Sequence, residues 1–582
     1  MPDSFATEPL EVIEIVQPLC SQVFGVGACE ATGTECWNTD ATCKFRAALD
    51  MSDTLPLYFV RDEAHEWIDD AGAFQPALAI GGLVSTSVAP TVLNVAGGSR
   101  DRGPLGYRAV LSVRINDFPW NDVGTDPYVA DRGYDPQERG SFWSKWLKRN
   151  PFHLGYRINH YSGYRGQALS EMTMRQYEIE KIDAGRDGVT IRSKDLLNRV
   201  SEVAAPSLSP GVLALDIDAS ATTLEVAGAV LADYQTAPGI IRIGDELMRY
   251  TGLTEIGGNL SFTGLTRGSL RSEASDHDQN ARVQRVLFWE GVPFQDIVYE
   301  LLTDWADIDP ALIDKTAWDD EKALFRSAFD FTAYISKPDK VVSLLGEIAL
   351  QALANIWWDE RDQEIFLKAV RPDFLPQEIS DDVDIKAGSF SIKELPEERA
   401  SQVFVYYNLR SPALSSTDSA SYENAAVFID ADKQAQYGGR PAVRELFCRF
   451  INTGAIANTV GLTYLNRFKD VRREITFDLN TERAFWTGNP VNVSHFLDVD
   501  FDGLPQVNNW LILSAQEIES GATYRFTAED NNMSGVLWLW VDEATTSPTW
   551  ADATAEERKT VGYWLNDDGT DAGGNPAPFR WL

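Results

Sequence analysis

Cys20, Cys29, Cys36 and Cys43 are four of the five cysteines in a chain of 582 residues, and they fall in one stretch, CSQVFGVGACEATGTECWNTDATC. The spacing is C-x8-C-x6-C-x6-C. Thiols grouped in this way have three uses. They can pair as two disulfides, as in small secreted domains. They can bind zinc, which normally uses knuckles of C-x2–4-C, shorter than the gaps here. They can hold an iron–sulfur cluster, which tolerates long gaps because the cluster fixes the geometry. The intervening residues suit the cluster. Gly25, Gly27 and Gly33 let backbone N–H groups bend toward sulfur. Ser21, Thr39 and Thr42 offer hydroxyls, and Phe24 and Trp37 can exclude water. Residue types alone leave all three uses open, in the order cluster, zinc, disulfide. Cys448 stands apart and reads as a buried hydrophobe.

Two acidic groups are the other candidates. Asp498, Asp500 and Asp502, followed by Gly503, match the front of a calcium loop, where alternate carboxylates converge on one hard cation. Asn509 stands where an EF-hand needs Glu, so an acidic turn between strands competes with a weak metal site. Glu178, Glu180, Asp183 and Asp187 cluster near an expected hairpin. Paired carboxylates can hydrolyse glycans, but 87 Asp and Glu residues make chance clusters common. The histidines (His65, His153, His160, His277, His495) share no metal spacing. Gly-x-Ser-x-Gly, P-loop and His-Glu-x-x-His motifs are all missing. The chain reads as no enzyme.

A net charge of −36 disfavours adhesion to nucleic acid. It suits a conduit through which DNA slides without sticking. The stretch holding Arg139, Lys145, Lys148, Arg149, Arg157, Arg165 and Arg175 runs against this trend. Such a stretch either docks on an acidic partner or is paired internally. No apolar run is long enough for a membrane helix. MPDSFATEPLEVIEI lacks the basic-then-apolar order of a secretory leader, so a reducing compartment is expected. Trp538, Trp540, Trp550 and Trp564 crowd the last residues, as core or as an interface.

The elements that must position these groups are mainly β with α+β parts. Residues 1–50 carry the cysteine loop and join a β-rich region, 51–204, whose runs around 107–115, 154–161, 177–182 and 189–192 alternate apolar and polar. Phe142–Lys148 reads as a short helix between them. A Pro/Ser-rich linker, Ala204–Pro210, leads to a small inserted β-domain, 211–287. Helical periodicity over 297–305 and 341–353 marks an α/β middle, 288–387. A second β-rich region spans 388–530, with one helix near Ala455–Lys469. The extension 531–582 holds a capping box, Thr554-Ala-Glu-Glu557, expected to open a helix through Trp564.

The run C-x-x-V-F-G-V-G-x-C…C-W-N-T-D-A-T-C resembles a cysteine motif of tail-tip (baseplate) hub proteins of phages with long non-contractile tails and of gene transfer agents. Gly239–Tyr250, with Leu265-Thr-Arg-Gly268 and His277, looks like a small β-module of phage tail proteins. Leu344–Ala369 followed by Ala400–Tyr407 is similar to the middle of hub proteins. The resemblance implies a [4Fe–4S] cluster on Cys20, Cys29, Cys36 and Cys43, with zinc as the alternative. It implies two tube-like β-barrels per chain, so that a homotrimer makes a pseudo-hexameric ring. The ring would join the tail tube to the tip. Its partners would be distal tail, tail tube and central fibre proteins, and DNA would pass through its channel unbound. The implied location is the virion tail tip, after assembly in the host cytoplasm. A receptor- or carbohydrate-binding tail protein and a particle-borne glycan hydrolase are the competing functions.

Overall fold

The computed structural model describes residues 8–32, 36–61, 67–68, 79–95, 98–99, 102–371, 377–381, 383–480, 483–519, 522–531, 539–540 and 561–562. The chain is mainly β with α+β parts, and among the described residues none of its sheets is closed by its own hydrogen bonds.

The opening strand, Pro9–Leu19, lies inside an 8-stranded sheet. It pairs antiparallel with Asp53–Val60 on one side and with Arg157–Tyr164 on the other. The order continues through Thr173–Ala184, Gly188–Lys194 and Val110–Asn116 to the edge strand Leu83–Ala89. The opposite edge is Ala79–Gly81. A single residue, Gly82, links the two edges, so the sheet curls almost into a barrel. Gly82 sits at φ +121°, a left-handed backbone that other residues rarely adopt, and its carbonyl accepts the Asn116 N–H at 2.8 Å. The helix Phe142–Arg149 is capped by Ser141 and lays Phe142, Trp143 and Trp146 into the sheet's core. There Phe59 stacks on Trp143 at 5.4 Å, and the Trp146 indole N–H donates to Gln17 Oε1 at 2.8 Å. The hairpin expected at Gly185 and Gly188 is present, and the strands it joins are longer than the alternating pattern showed.

The second large sheet is 6-stranded, in the order Gln377–Ser380, Pro490–Val499, Pro505–Glu519, Thr523–Asp530, Arg472–Leu479, Ser391–Leu395. Between the two large sheets lies one extended apolar core. It gathers the helices Phe294–Glu300, Val341–Ala352 and Gly454–Phe468, and the hairpin of Ala354–Asp359 with Glu364–Ala369. The helix Lys315–Phe325 escapes a sequence reading because it buries only Trp318. The linker at Ala204–Pro210 is not loose. Ala204–Ala205 pairs with Asp339–Lys340, and Gln284 holds the Ser207 carbonyl and the Ser209 N–H.

The two large sheets are bolted together directly. Leu93 N–H donates to the Leu513 carbonyl at 2.9 Å, and the Gln516 side chain donates to the Val88 carbonyl at 2.7 Å. Arg175 of the first sheet pairs with Glu517 of the second at 2.7 Å, both almost sealed from water. The Ser162 hydroxyl donates to the same carboxylate at 2.6 Å. On the far side, the buried Glu529 carboxylate takes Arg467, Arg472 and Arg102. Within the expected helix Thr554–Trp564, Val561–Gly562 are extended and pair in parallel with Leu539–Trp540; the other residues of that helix, with Trp538, Trp550 and Trp564, lie outside the described residues.

Residues 211–287 hold a 4-stranded and a 3-stranded sheet over their own core. Strands Gly239–Ile243 and Glu246–Tyr250 form the expected hairpin about Gly244 and Asp245. Arg267, Gly268 and His277 converge on Glu246, whose side chain is fully buried. Its carboxylate accepts Arg267 through two bonds of 2.7 Å, the N–H groups of Gly268 and Ser275, and stands 2.8 Å from the His277 ring. Burial alone would raise its pKa. Arg267 and the other donors overcome that and hold it at about 2. The stabilisation, about 3 kcal/mol for a shift of this size, is complete above the unfolded carboxyl pKa near 4.5 and is lost as pH falls from there toward 2. Glu246→Gln should cost ~3–5 kcal/mol by leaving Arg267 buried and uncompensated. Hydrogen exchange of residues 239–277, corrected for intrinsic rate, should show that protection falling in the variant and, for the native chain, between pH 4.5 and 3. Unchanged protection in both would contradict the role given to Glu246.

Candidate functional site

The cysteine loop leaves the first sheet at Leu19, so its root is a rigid strand end. Cys20 N–H donates to the Asn38 carbonyl at 2.7 Å, which closes the loop on itself. Asn38 is the hub of that closure. Its side-chain amide donates to the carbonyls of Cys20 (3.1 Å) and Gln22 (3.3 Å), and its Oδ1 accepts the Tyr128 hydroxyl (2.9 Å). Its own N–H donates to Cys36 Sγ at 3.3 Å. Asn38 holds φ +54°, a left-handed conformation that Asn tolerates better than most residues. Gly25 and Gly27 also take positive φ, at +73° and +65°, and turn the chain back toward Cys29. Gly33 lies outside the described residues.

A second layer comes from residues 122–149. Arg132 clasps Asp126 with two bonds of 2.7 and 2.8 Å and donates to the Cys36 carbonyl at 2.7 Å. Its guanidinium lies 4.3 Å over the Trp37 ring, and Arg149 lies 5.1 Å from the same ring. Asp122, almost fully buried, binds Lys145 at 2.6 Å and Arg149 at 2.7 Å. The Phe24 N–H donates to the Tyr128 hydroxyl at 2.8 Å. The loop is thereby fixed to the aromatic helix of the first sheet. The hydroxyls expected near sulfur act elsewhere: Ser21 bonds Asp50, Thr39 donates to the Arg149 carbonyl, and Thr42 accepts the Trp37 N–H. Asn38, Tyr128 and Arg132 were missed in the sequence. Asn38 sits inside the C-W-N-T-D-A-T-C run and is the one of the three with a local signal.

All four thiols are unpaired; Cys36 is buried and the others are half-buried. Burial, and then the charge that Cys43, Cys20 and Cys29 would carry as thiolates, push the Cys36 thiol up, while the Asn38 N–H opposes the shift. Among the described residues no group of three or more His, Cys, Asp or Glu side chains is placed to hold a metal ion. For one tetrahedral ion to take all four thiolates at ~2.3 Å, the sulfurs would have to draw together. The donor set fits a cluster in kind: four thiols, a backbone N–H aimed at one sulfur, and Arg132 beside the loop. Cys448 is fully buried, and burial holds its thiol well above the ordinary range.

Most of the remaining candidate carboxylates have internal partners. Asp498 pairs with Arg473 at 2.7 Å and accepts the Asn508 amide at 2.7 Å, while Asp500 Oδ1 takes the N–H groups of Asp502 and Leu504 and closes a turn. Glu178 takes Arg199, Glu180 takes Arg192 and Lys194, and Asp183 takes Lys181. Glu178 lines a cleft of about 680 Å³ with Arg157, Arg199 and Asp309, but its carboxylate is engaged by Arg199 through two bonds. The basic stretch is largely neutralised within the chain: Lys145 and Arg149 on Asp122, Arg165 on Glu8, Arg175 on Glu517.

Asn38→Ala removes side-chain bonds to the Cys20 and Gln22 carbonyls and to the Tyr128 hydroxyl, each worth about 1 kcal/mol. Hydrogen–deuterium exchange should rise over 20–43 and stay unchanged over the strand Pro9–Leu19; equal protection in the two proteins would contradict the part assigned to Asn38. No protein-family model matches the sequence, and no curated protein does. Among solved structures, the chain is similar to a tail protein from Neisseria meningitidis MC58, at 11% identity and TM-score 0.36 over 77% of this chain and 98% of that one. It is similar to the 43 kDa tail protein of prophage MuSo2 from Shewanella oneidensis, at 10% identity and TM-score 0.38 over 79% and 96%. It is also similar to a chain in the virion of a native gene transfer agent particle, at 14% identity and TM-score 0.31 over 57% and 86%. Likeness at these TM-scores carries no argument about what the chain does.

Proposed function

We propose that the chain is a non-catalytic hub protein at the tip of a phage or phage-like tail, forming a trimeric ring that joins the tail tube to the tip and lets DNA through. The observation that carries this reading is the union of two features in one chain. Four free thiols stand in a loop bolted to a nearly closed 8-stranded sheet, and a second large sheet is locked to the first through Arg175 and Glu517. Two tube-like units per chain turn a threefold assembly into a ring of six similar walls, which can seat on a sixfold tube. The acidic surface repels the phosphate backbone and so keeps a passing genome from adhering. In this reading residues 1–50 belong with the first unit, 211–287 form an inserted domain, and distal tail, tube and central fibre proteins are the neighbours.

Cys20, Cys29, Cys36 and Cys43 would hold a [4Fe–4S] cluster. The cluster would supply a covalent staple for a segment with little core of its own. The chain's own residues do the rest: Asn38 closes the loop and donates to sulfur, and Arg132 and Tyr128 fix it to the sheet. The test is electron microscopy of the purified protein, alone and mixed with tail tube protein. Threefold rings with an axial channel that cap tube ends are expected. Isolated particles without a channel that ignore tubes would overturn the reading.

A further inference from the structure

The hairpin of Pro490–Val499 and Pro505–Glu519 outgrows its sheet. The neighbouring strand Gln377–Ser380 stops opposite Ser494, and Thr523–Asp530 stops opposite Trp510. Residues 495–509 thus project as an arm. The inner face of the arm is fixed: His495 stacks on Phe390 at 3.7 Å and meets Asp381 at 3.2 Å, and Asp498 is held by Arg473 and Asn508. The outer face carries Phe496, Leu497, Val499, Phe501, Leu504 and Val507, exposed from 42% to the full side chain of Phe501. A rigid arm with this much bare apolar surface marks a contact with another molecule, and its fixed geometry lowers the ordering cost of docking.

The same chain carries a second exposed apolar surface, on a small sheet. In the 3-stranded sheet Tyr422–Ile429, Gln402–Leu409, Val443–Cys448, the face carrying Val403, Val405 and Leu446 lies in the central core under the helix Gly454–Phe468. The register puts Ile429, Gln402 and Val443 in one row of the opposite face, and Val427, Phe404 and Glu445 in the next. Ile429, Val427 and Val443 are about half exposed, at 55%, 50% and 47%. Glu445 lies beside the Tyr406 hydroxyl at 3.3 Å. Exposed Arg440 precedes Val443 at the apolar end of this face, and exposed Asp502 sits at the tip of the arm. Exposed Glu445 stands in the second row of this face, so the acidic arm tip is steered to the Arg440 end, and an apolar centre with charge at its margin is the pattern of a specific contact. In a chain of net charge −36, such apolar patches are where two copies meet with least repulsion.

We propose that the arm of one copy docks on the exposed face of this 3-stranded sheet in a second copy, a head-to-tail contact that repeats around a closed ring. This rests on the ring reading above and names the surfaces that build it. The test uses Phe501→Asp and Ile429→Asp, both at exposed positions, with the masses of each variant and of their mixture measured by light scattering. The wild-type chain should assemble beyond a monomer. Each variant alone should be monomeric, its self-association weakened roughly 100-fold. The mixture should form a two-chain species, because each variant retains the surface that the other lacks. A variant keeping the wild-type mass, or a mixture that stays monomeric, would overturn the contact while leaving a wild-type ring standing. A monomeric wild-type chain would overturn both. If Phe501→Asp keeps the wild-type mass but abolishes flotation with zwitterionic vesicles, the arm serves lipid and the contact falls.

Discussion

A buried charge pair sets the frame for everything else in this molecule. Arg175 and Glu517 are taken out of water between the two large sheets, at a desolvation cost of several kcal/mol per ion. That cost is offset by the pair's own attraction, by the Ser162 hydroxyl, which donates to the carboxylate and accepts from Arg175, and by the Trp486 ring 5.6 Å from the guanidinium. Such a pair does not tolerate sliding, since a shift of one residue along either strand would leave a charge buried and alone. It therefore fixes the two sheets in a single arrangement. The cysteine loop grows from the first sheet and the apolar arm from the second, so their spacing is fixed with it.

The cysteine loop faces a different problem. Thiolates near one another repel, and the charge that Cys43, Cys20 and Cys29 would carry adds to burial in pushing the Cys36 thiol up. The loop has little core to oppose it, since Cys20, Cys29 and Cys43 are only half-buried. It uses polar bonds instead: Asn38 at the closure, Arg132 on the Cys36 carbonyl, and Trp37 beside two guanidinium groups. A cationic centre on the sulfurs would turn the repulsion into attraction and finish what these bonds begin.

What was legible in the sequence follows physical range. The alternation around 107–115 and the aromatic pattern of Phe142–Arg149 report local burial, and both elements are present. The helix expected near Ala455–Lys469 is present as Gly454–Phe468. The convergence of Glu246, Arg267 and His277 was visible only as a resemblance, because its reason, one buried carboxylate with four neighbours donating to it or touching it, is a property of the fold. The curl of the first sheet hinges on Gly82, which has no signature apart from being glycine. Tyr128 and Arg132 lie far along the chain from the loop they hold. The arm was missed for another reason: a register shift between Ser494 and Val499 breaks the alternation, so neighbouring Phe496 and Leu497 both face water. The acidic groups at 178–187 and 498–502 were legible as clusters. Their arginine and lysine partners were not, and those partners decide what the carboxylates do.

The account's central claim is that the four thiols of the leading loop together hold inorganic iron. Its most direct measurement is iron and acid-labile sulfide on anaerobically purified protein, with the electron paramagnetic resonance spectrum of the reduced sample. The account predicts equal iron and sulfide, matching one [4Fe–4S] cluster per chain, with both lost when Cys36 is replaced by Ser. A colourless protein whose iron and sulfide stay at background, with zinc or with paired disulfides on Cys20, Cys29, Cys36 and Cys43, would contradict it.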